Sequence, residues 1–208
     1  MNCYGSTETT SPSTLMPPGQ TTAHNDTVGM PLGCVEMRVM DDKGCEVPAN
    51  VLGEIWIKGP MVVKGYWDNP QATTDNFTAG FWHSGDLGSI DAQGYVRVHD
   101  RIKDMINRGG YKIYTIEVEN ALYEHPDVVE SAVVAKPCPV LGERVHAFVT
   151  LRQDGTTEAV LRAHCAQRLS DYKVPESITL STTPLPRNAN GKLLKRALRD
   201  QLTPNPPA

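Results

Sequence analysis

The chain has 208 residues, 20 basic against 24 acidic side chains and a pI near 5.9, room for one large or two small domains and an argument against a nucleic-acid-binding surface. Five cysteines (Cys3, Cys34, Cys45, Cys138, Cys165), an odd number with no Cys-x-x-Cys pair and no metal spacing, suggest reduced thiols in a cytoplasmic protein. No apolar run approaches the roughly 20 residues of a membrane span, residues 1–5 lack the parts of a signal peptide, and residues 204–208 read as a loose tail, not a peroxisomal address.

In chain order, residues 35–40 alternate apolar and polar and predict a strand that ends in the turn Asp41-Asp42-Lys43-Gly44. Residues 54–58 predict a second strand, closed by Gly59-Pro60. Residues 95–98 predict a third, entered from the turn Asp91-Ala92-Gln93-Gly94. Together they suggest an antiparallel, barrel-like piece. After Arg101 the pattern becomes α+β. Val118, Ala121 and Leu122 keep helical spacing, with Glu117 and Glu119 in the first turn and Pro126 as the stop. Strands follow over 131–135 and 147–151. Leu161, Cys165 and Leu169 predict a helix that starts near Thr157, and Leu194, Ala197, Leu198 and Leu202 predict a last one. The expected class is mixed α/β, with a boundary at Arg101 to Lys103 that divides the chain into 1–102 and 103–208.

Four short segments carry the chemistry. In Tyr4-Gly5-Ser6-Thr7-Glu8 the Thr7 hydroxyl can donate to a phosphate oxygen, and the Glu8 carboxylate suits a hard Mg²⁺ ion. In Trp82-His83-Ser84-Gly85-Asp86 a carboxylate on a tight turn has acceptor oxygens for both hydroxyls of a ribose diol, and Gly85 permits close backbone approach. His83 reads as a satisfied, partly buried histidine. Asp100-Arg101-Ile102-Lys103 adds an arginine. Pro186-Arg187-Asn188-Ala189-Asn190-Gly191-Lys192 ends in a lysine, a compact charge on a flexible stem that can sit between two anions. Lys192, Lys195, Arg196 and Arg199 also read as a solvated helix face, although a lysine at a helix start opposes the macrodipole. Between these segments, Val63-Lys64-Gly65-Tyr66-Trp67 reads as packing, with Tyr66 against Trp67.

The order and wording of these segments resemble the adenylate-forming (AMP-binding) superfamily, which includes acyl- and aryl-CoA synthetases, luciferases and peptide-synthetase adenylation domains. The resemblance runs from Tyr4 to about Arg199. It implies the β-barrel-like end of the large AMP-binding domain over 1–102 and its small, mobile carboxyl-terminal α+β domain over 103–208. It further implies that Tyr4 covers the adenine, that Gly5 lines the nucleotide, and that Thr7, contacting its phosphate, and Glu8, holding magnesium, are catalytic residues. Asp86 would then bind the ribose and Arg101 would bond it from the other side. Lys103 becomes the hinge, and Asn107, Gly109, Gly110 and Lys112 form a loop facing phosphate or coenzyme A in one pose. Lys192 becomes the catalytic cation. The implied activity is an ATP-dependent carboxylate–CoA ligase of fatty-acid type, acting on a small-molecule carboxylic acid with ATP, Mg²⁺ and coenzyme A.

The family's early Ser/Thr/Gly-rich phosphate loop ending in lysine is expected upstream of Tyr4, so the chain reads as a carboxyl-terminal portion that is crippled when alone. Two further readings stand beside this one. A peptide-synthetase adenylation domain shares the motifs. A non-catalytic remnant or partner-binding subunit would associate through an exposed apolar face near residues 1–34.

Overall fold

In a computed structural model that describes residues 2–202, the chain divides into two compact units, Met1–Lys103 and Asp104–Ala208. The tail at 204–208 lies outside the described residues.

In the first unit, β1 (Cys3–Gly5), β2 (Pro12–Leu15) and β3 (Met30–Pro31) form a small antiparallel sheet. A larger sheet contains β4 (Glu36–Met40) and β5 (Gly53–Lys58). Helix α1 (Pro70–Asn76) is capped by Asn69, whose side chain accepts from the Ala72 amide. The larger sheet is completed by β6 (Phe77–Thr78), β7 (Phe81–Ile90) and β8 (Val96–Arg101), in the order β4-β5-β7-β6 with β8 also on β7. The antiparallel character expected here holds, but the sheets are open and do not close into a barrel. Alternation buries Ile55, Ile57, Trp82 and Val96 on one side. The expected strands at 35–40, 54–58 and 95–98 correspond to β4, β5 and β8.

The second unit opens with a hairpin of β9 (Ile106–Arg108) and β10 (Tyr111–Ile113). Then come α2 (Thr115–Tyr123), β11 (Val128–Cys138), β12 (Gly142–Leu151), α3 (Glu158–Ala166), β13 (Ser177–Ser181) and α4 (Lys195–Asp200). The sheet order is β10-β9-β12-β11, with β13 parallel to β12. That parallel pair needs a crossover, which α3 supplies. The period of two in β11 and β12 splits the core: Val133, Ala147 and Val149 pack with Val118, Leu122 and Leu161, while Ala132, Val134 and Phe148 pack with Leu198.

Thr157 caps α3, its side chain accepting from the Val160 amide, as its position before the apolar repeat suggests. Leu169 falls beyond the helix end and still packs on the core. No large apolar side chain among residues 2–34 is exposed, so the apolar face expected there is not found. Among the described residues no helix is long and apolar enough to cross a membrane.

Candidate active site

The first unit brings Tyr4, Asp86 and Arg101 together. Asp86 lies within strand β7, not on a tight turn, but at a break in its pairing. Gly53 faces Gly88 and Glu54 faces Leu87, yet the next pair is Trp56 with His83, so Ser84, Gly85 and Asp86 stand opposite Ile55 alone. Gly85 adopts φ +68°, a left-handed conformation that costs a side-chain-bearing residue energy.

Hydrogen bonds substitute for the lost ladder. The Gly85 amide donates to Glu54 Oε1 (2.9 Å), the Asp86 amide to Ser84 Oγ (3.0 Å), and the Ile102 amide to the Gly85 carbonyl (2.9 Å).

The Asp86 residue is only 6% exposed, and among the described residues each carboxylate oxygen has one partner. Tyr4 Oη donates to Oδ2 at 2.6 Å, and Arg101 Nε lies 3.0 Å from Oδ1 across the β7–β8 pairing. Burial, then the adjacent Asp86 charge, push the Tyr4 hydroxyl well above the ordinary tyrosine range, so it stays a donor. An ionised carboxylate offers about four acceptor positions, so this one keeps capacity for further donors. The Tyr4 ring is half-buried in the packing around Ile55 and Val96.

Thr7 and Glu8 lie in a 3₁₀ turn, Thr7–Thr9, fixed by the fully buried Thr9, whose hydroxyl accepts from the Ser6 amide. Thr7 is exposed and Glu8 half-buried. Tyr66 Oη donates to Glu8 Oε1 at 3.1 Å and itself accepts from Trp82 Nε1 at 3.3 Å. Burial raises the pKa of the Tyr66 hydroxyl, and the Glu8 charge adds to this. Gly5 makes a tight approach, since a Cβ there would stand 2.9 Å from the Ser11 carbonyl oxygen.

Two of these residues escape a reading of the sequence alone. Tyr66 does not pack on Trp67, which is 98% exposed; it meets Phe77 edge-on and holds Glu8, 58 positions away. No local pattern signals that partnership. Glu54 had a faint signal: strand period two puts it on the face of Trp56, whose indole N–H donates to Glu54 Oε2 at 2.9 Å. His83 is not the satisfied histidine expected: it stacks on Trp56 at 3.8 Å, its Nε2 is buried with no partner among the described residues, and burial lowers its pKa.

In the second unit, Asn107 to Lys112 form a two-residue hairpin in place of an open loop. Gly109 (φ +57°) and Gly110 (φ +92°) both take the positive φ that such a turn requires, and Asn107 Oδ1 accepts from the Gly110 amide. The glycines thus have a structural cause of their own. Lys112 is exposed on β10.

Lys192 closes another tight turn. Asn188 Oδ1 accepts from the amides of Asn190 and Lys192, the Asn188 amide donates to the Lys192 carbonyl, and Arg187 pairs with Glu130. Lys192 precedes α4, so the macrodipole argument does not bear on it. Its side chain is exposed, with no partner among the described residues. Lys195 in the first turn of α4 is instead tied to Glu119 and Thr115 (2.7 and 2.8 Å). Lys103 stands at the end of the first unit.

Two family models match the chain: the AMP-binding enzyme model over residues 1–67 and the AMP-binding enzyme C-terminal domain model over residues 117–192. The chain belongs to the AMP-binding enzyme family. A long-chain-fatty-acid–CoA ligase of Escherichia coli is 37% identical over 198 residues, 95% of this chain and 35% of that protein. A 2-succinylbenzoate–CoA ligase of Geobacillus kaustophilus is 40% identical over 94% of this chain and 40% of its own length. Among solved structures, o-succinylbenzoate CoA synthetase of Bacillus subtilis with its acyl-adenylate intermediate aligns at TM-score 0.88 and 35% identity, covering 99% of this chain and 41% of that one. The same enzyme solved with ATP and magnesium aligns at TM-score 0.87. The chain therefore spans between a third and two-fifths of the length of these curated relatives.

Proposed function

We propose that this chain is the nucleotide-gripping end and mobile lobe of an ATP-dependent carboxylate–CoA ligase. One observation carries the reading: a buried carboxylate, Asp86, set on a side-chain-capped break in β7 and anchored by Tyr4 and Arg101, keeps acceptor capacity for two more donors. A ribose diol supplies two hydroxyls in that geometry. Relatives that are CoA ligases, and a similar structure holding an acyl-adenylate, support the choice of nucleotide.

In this reading residues 1–102 hold the nucleotide, with Tyr4 and Gly5 at the base, Thr7 at phosphate, and Asp86 and Arg101 at the ribose. Residues 103–208 move about Lys103 as a hinge. In the first step an oxygen of the substrate carboxylate bonds to the α-phosphorus of ATP, and the bond to pyrophosphate breaks. The Lys192 ammonium lowers the barrier by meeting charge that builds between two anions. In the second step the sulfur of coenzyme A bonds to the acyl carbon and AMP departs, with the hairpin of Asn107, Gly109, Gly110 and Lys112 facing the reactants.

Among the described residues no three His, Cys, Asp or Glu side chains cluster as a metal cage. The single Glu8 carboxylate, held by the Tyr66 hydroxyl, fits Mg²⁺, which binds through one or two carboxylates plus phosphate oxygens and water. Glu8 would hold the ion, oriented by Tyr66. Bound there, Mg²⁺ neutralises phosphate charge.

The 208 residues contain no Ser/Thr/Gly-rich run ending in lysine, so the chain by itself is proposed to bind nucleotide but not to adenylate. Calorimetric titration with AMP tests the first part: binding that weakens about tenfold or more in Asp86→Asn is expected. No AMP binding at millimolar concentration would refute the site. ATP–pyrophosphate exchange tests the second, and robust exchange by the chain alone would refute it.

A further inference from the structure

We infer that Glu54 is the positioning residue for Asp86, an inference that rests on the nucleotide reading above. The break in β7 leaves three residues opposite one, so the Gly85 amide loses its partner on β5. A buried amide without a partner is costly. Glu54 Oε1 fills that vacancy at 2.9 Å, from the strand position immediately before the break. Its other oxygen is held by Trp56 Nε1 at 2.9 Å, and the Trp56 ring is stacked on His83, in the same strand as Asp86. The carboxylate is therefore fixed at both ends and acts as a rigid substitute for one rung of the ladder.

The consequence reaches Asp86 through one peptide unit. Gly85 is clamped on both sides, its amide by Glu54 and its carbonyl by the Ile102 amide from the chain just past β8. Between those clamps the backbone must turn through φ +68°, and Asp86 follows at once with its amide on Ser84 Oγ. Remove the Glu54 carboxylate and the Gly85 amide must find another acceptor. The kink relaxes toward a regular strand, and the Asp86 oxygens move off the line to Tyr4 and Arg101. A neutral residue of the same length can accept from only one of the two N–H donors, so the charge and both oxygens matter.

The test compares AMP with 2′,3′-dideoxy-AMP on the 208-residue chain, by titration followed through backbone amide signals in ¹⁵N-resolved NMR spectra. Wild type is expected to favour AMP by about tenfold or more, the worth of hydrogen bonds to a charged acceptor. In Glu54→Ala this preference falls toward one while weaker binding of the dideoxy nucleotide persists, and the Gly85 amide proton moves upfield as it loses its carboxylate. Glu54→Gln retains an intermediate preference; it also serves in place of the alanine variant if that one does not fold. A merely structural glutamate would lower both affinities alike and leave their ratio intact. If wild type prefers AMP and both variants keep the full ratio, Glu54 does not position Asp86 and the ribose site stands. If wild type shows no preference, the ribose reading itself falls, and this inference with it.

Discussion

The contact between Tyr4 and Asp86 offers the sharpest energetic test. Tyr4→Phe removes one hydroxyl and leaves the ring in its packing. It strips a 2.6 Å donor from a carboxylate in a residue only 6% exposed, while Arg101 stays on the other oxygen. Hydrogen bonds to charged groups contribute about 1.5–3 kcal/mol, and the half-buried setting of Tyr4 argues for about 2 kcal/mol within that range. All three tryptophans, Trp56, Trp67 and Trp82, belong to the first unit, so urea unfolding followed by tryptophan fluorescence reports on it. With a slope of about 1–3 kcal/mol per molar urea, the midpoint should drop by about 1 M.

Alkaline pH supplies a second arm. The unfolded tyrosine ionises near its ordinary value of about 10, while folded Tyr4 holds its proton to higher pH because burial and Asp86 disfavour the phenolate. Above that value the folded state binds more protons than the unfolded one, so the stability from this bond declines as pH rises. The gap between wild type and Tyr4→Phe should therefore narrow beyond pH of about 10. A gap below about 0.5 kcal/mol at neutral pH, the range of an ordinary surface change, would refute the role given to this bond.

In the second unit, His146 is 4% exposed, with Nδ1 2.7 Å from Ser177 Oγ and Nε2 3.1 Å from Thr179 Oγ1, and burial lowers its pKa to about 4. Because the unfolded imidazole takes up a proton near 6.5 and the folded one does not, stability should fall between pH 6.5 and 4 by about 3 kcal/mol. His146→Gln should lack that component in urea unfolding followed by circular dichroism, and an equal acid loss in both proteins would count against it. Tyr66→Phe should raise the Mg²⁺ concentration needed for ATP binding about tenfold, as loss of a ligand's orienting partner commonly does; an unchanged Mg²⁺ titration would remove Tyr66 from the site. Lys192→Ala in the complete polypeptide should slow acyl-adenylate formation about a hundred- to a thousandfold without moving the unfolding midpoint, and a wild-type rate would rule out the lysine.

What the sequence disclosed followed from periodicity. Alternation in β4, β5, β11 and β12 and the helical spacing of Val118, Ala121 and Leu122 depend on neighbours two to four positions away, which one chain displays. The Thr157 cap is equally local. β7 was not legible as a strand, because Trp82-His83-Ser84-Gly85-Asp86 carries a glycine at positive φ and polar residues that break alternation. The first sheet, with strands as short as Met30–Pro31, leaves too little pattern to detect. Helix α4 is shorter than its apolar spacing suggests, and Leu202 packs on the core from beyond its end. The residues proposed for the site at Asp86 and Lys192 stand in recognisable motifs, whereas Tyr66 and Glu54 do not, since the contacts that bring them into that proposal are with partners distant in sequence or across a strand break.

Several of the motifs share a physical character that explains why they resist periodic reading. Asp86 sits where β7 loses register with β5, Gly109 and Gly110 where two strands reverse, and Lys192 where Asn188 closes a turn with its own side chain. A regular ladder consumes backbone donors and acceptors and aims side chains at fixed intervals on two faces. An interruption frees a polar group, and the chain must either cap it or lose stability. Here the caps are Glu54, Ser84, Asn107 and Asn188, each spending a side chain on the backbone. What the interruption gains is aim: Asp86 turns both oxygens to partners on other strands. In the proposed site the residues that cap therefore matter as much as those that would meet the nucleotide, and Glu54, which joins two strands at the point where their pairing fails, is the one whose removal distinguishes a positioned carboxylate from a merely buried one.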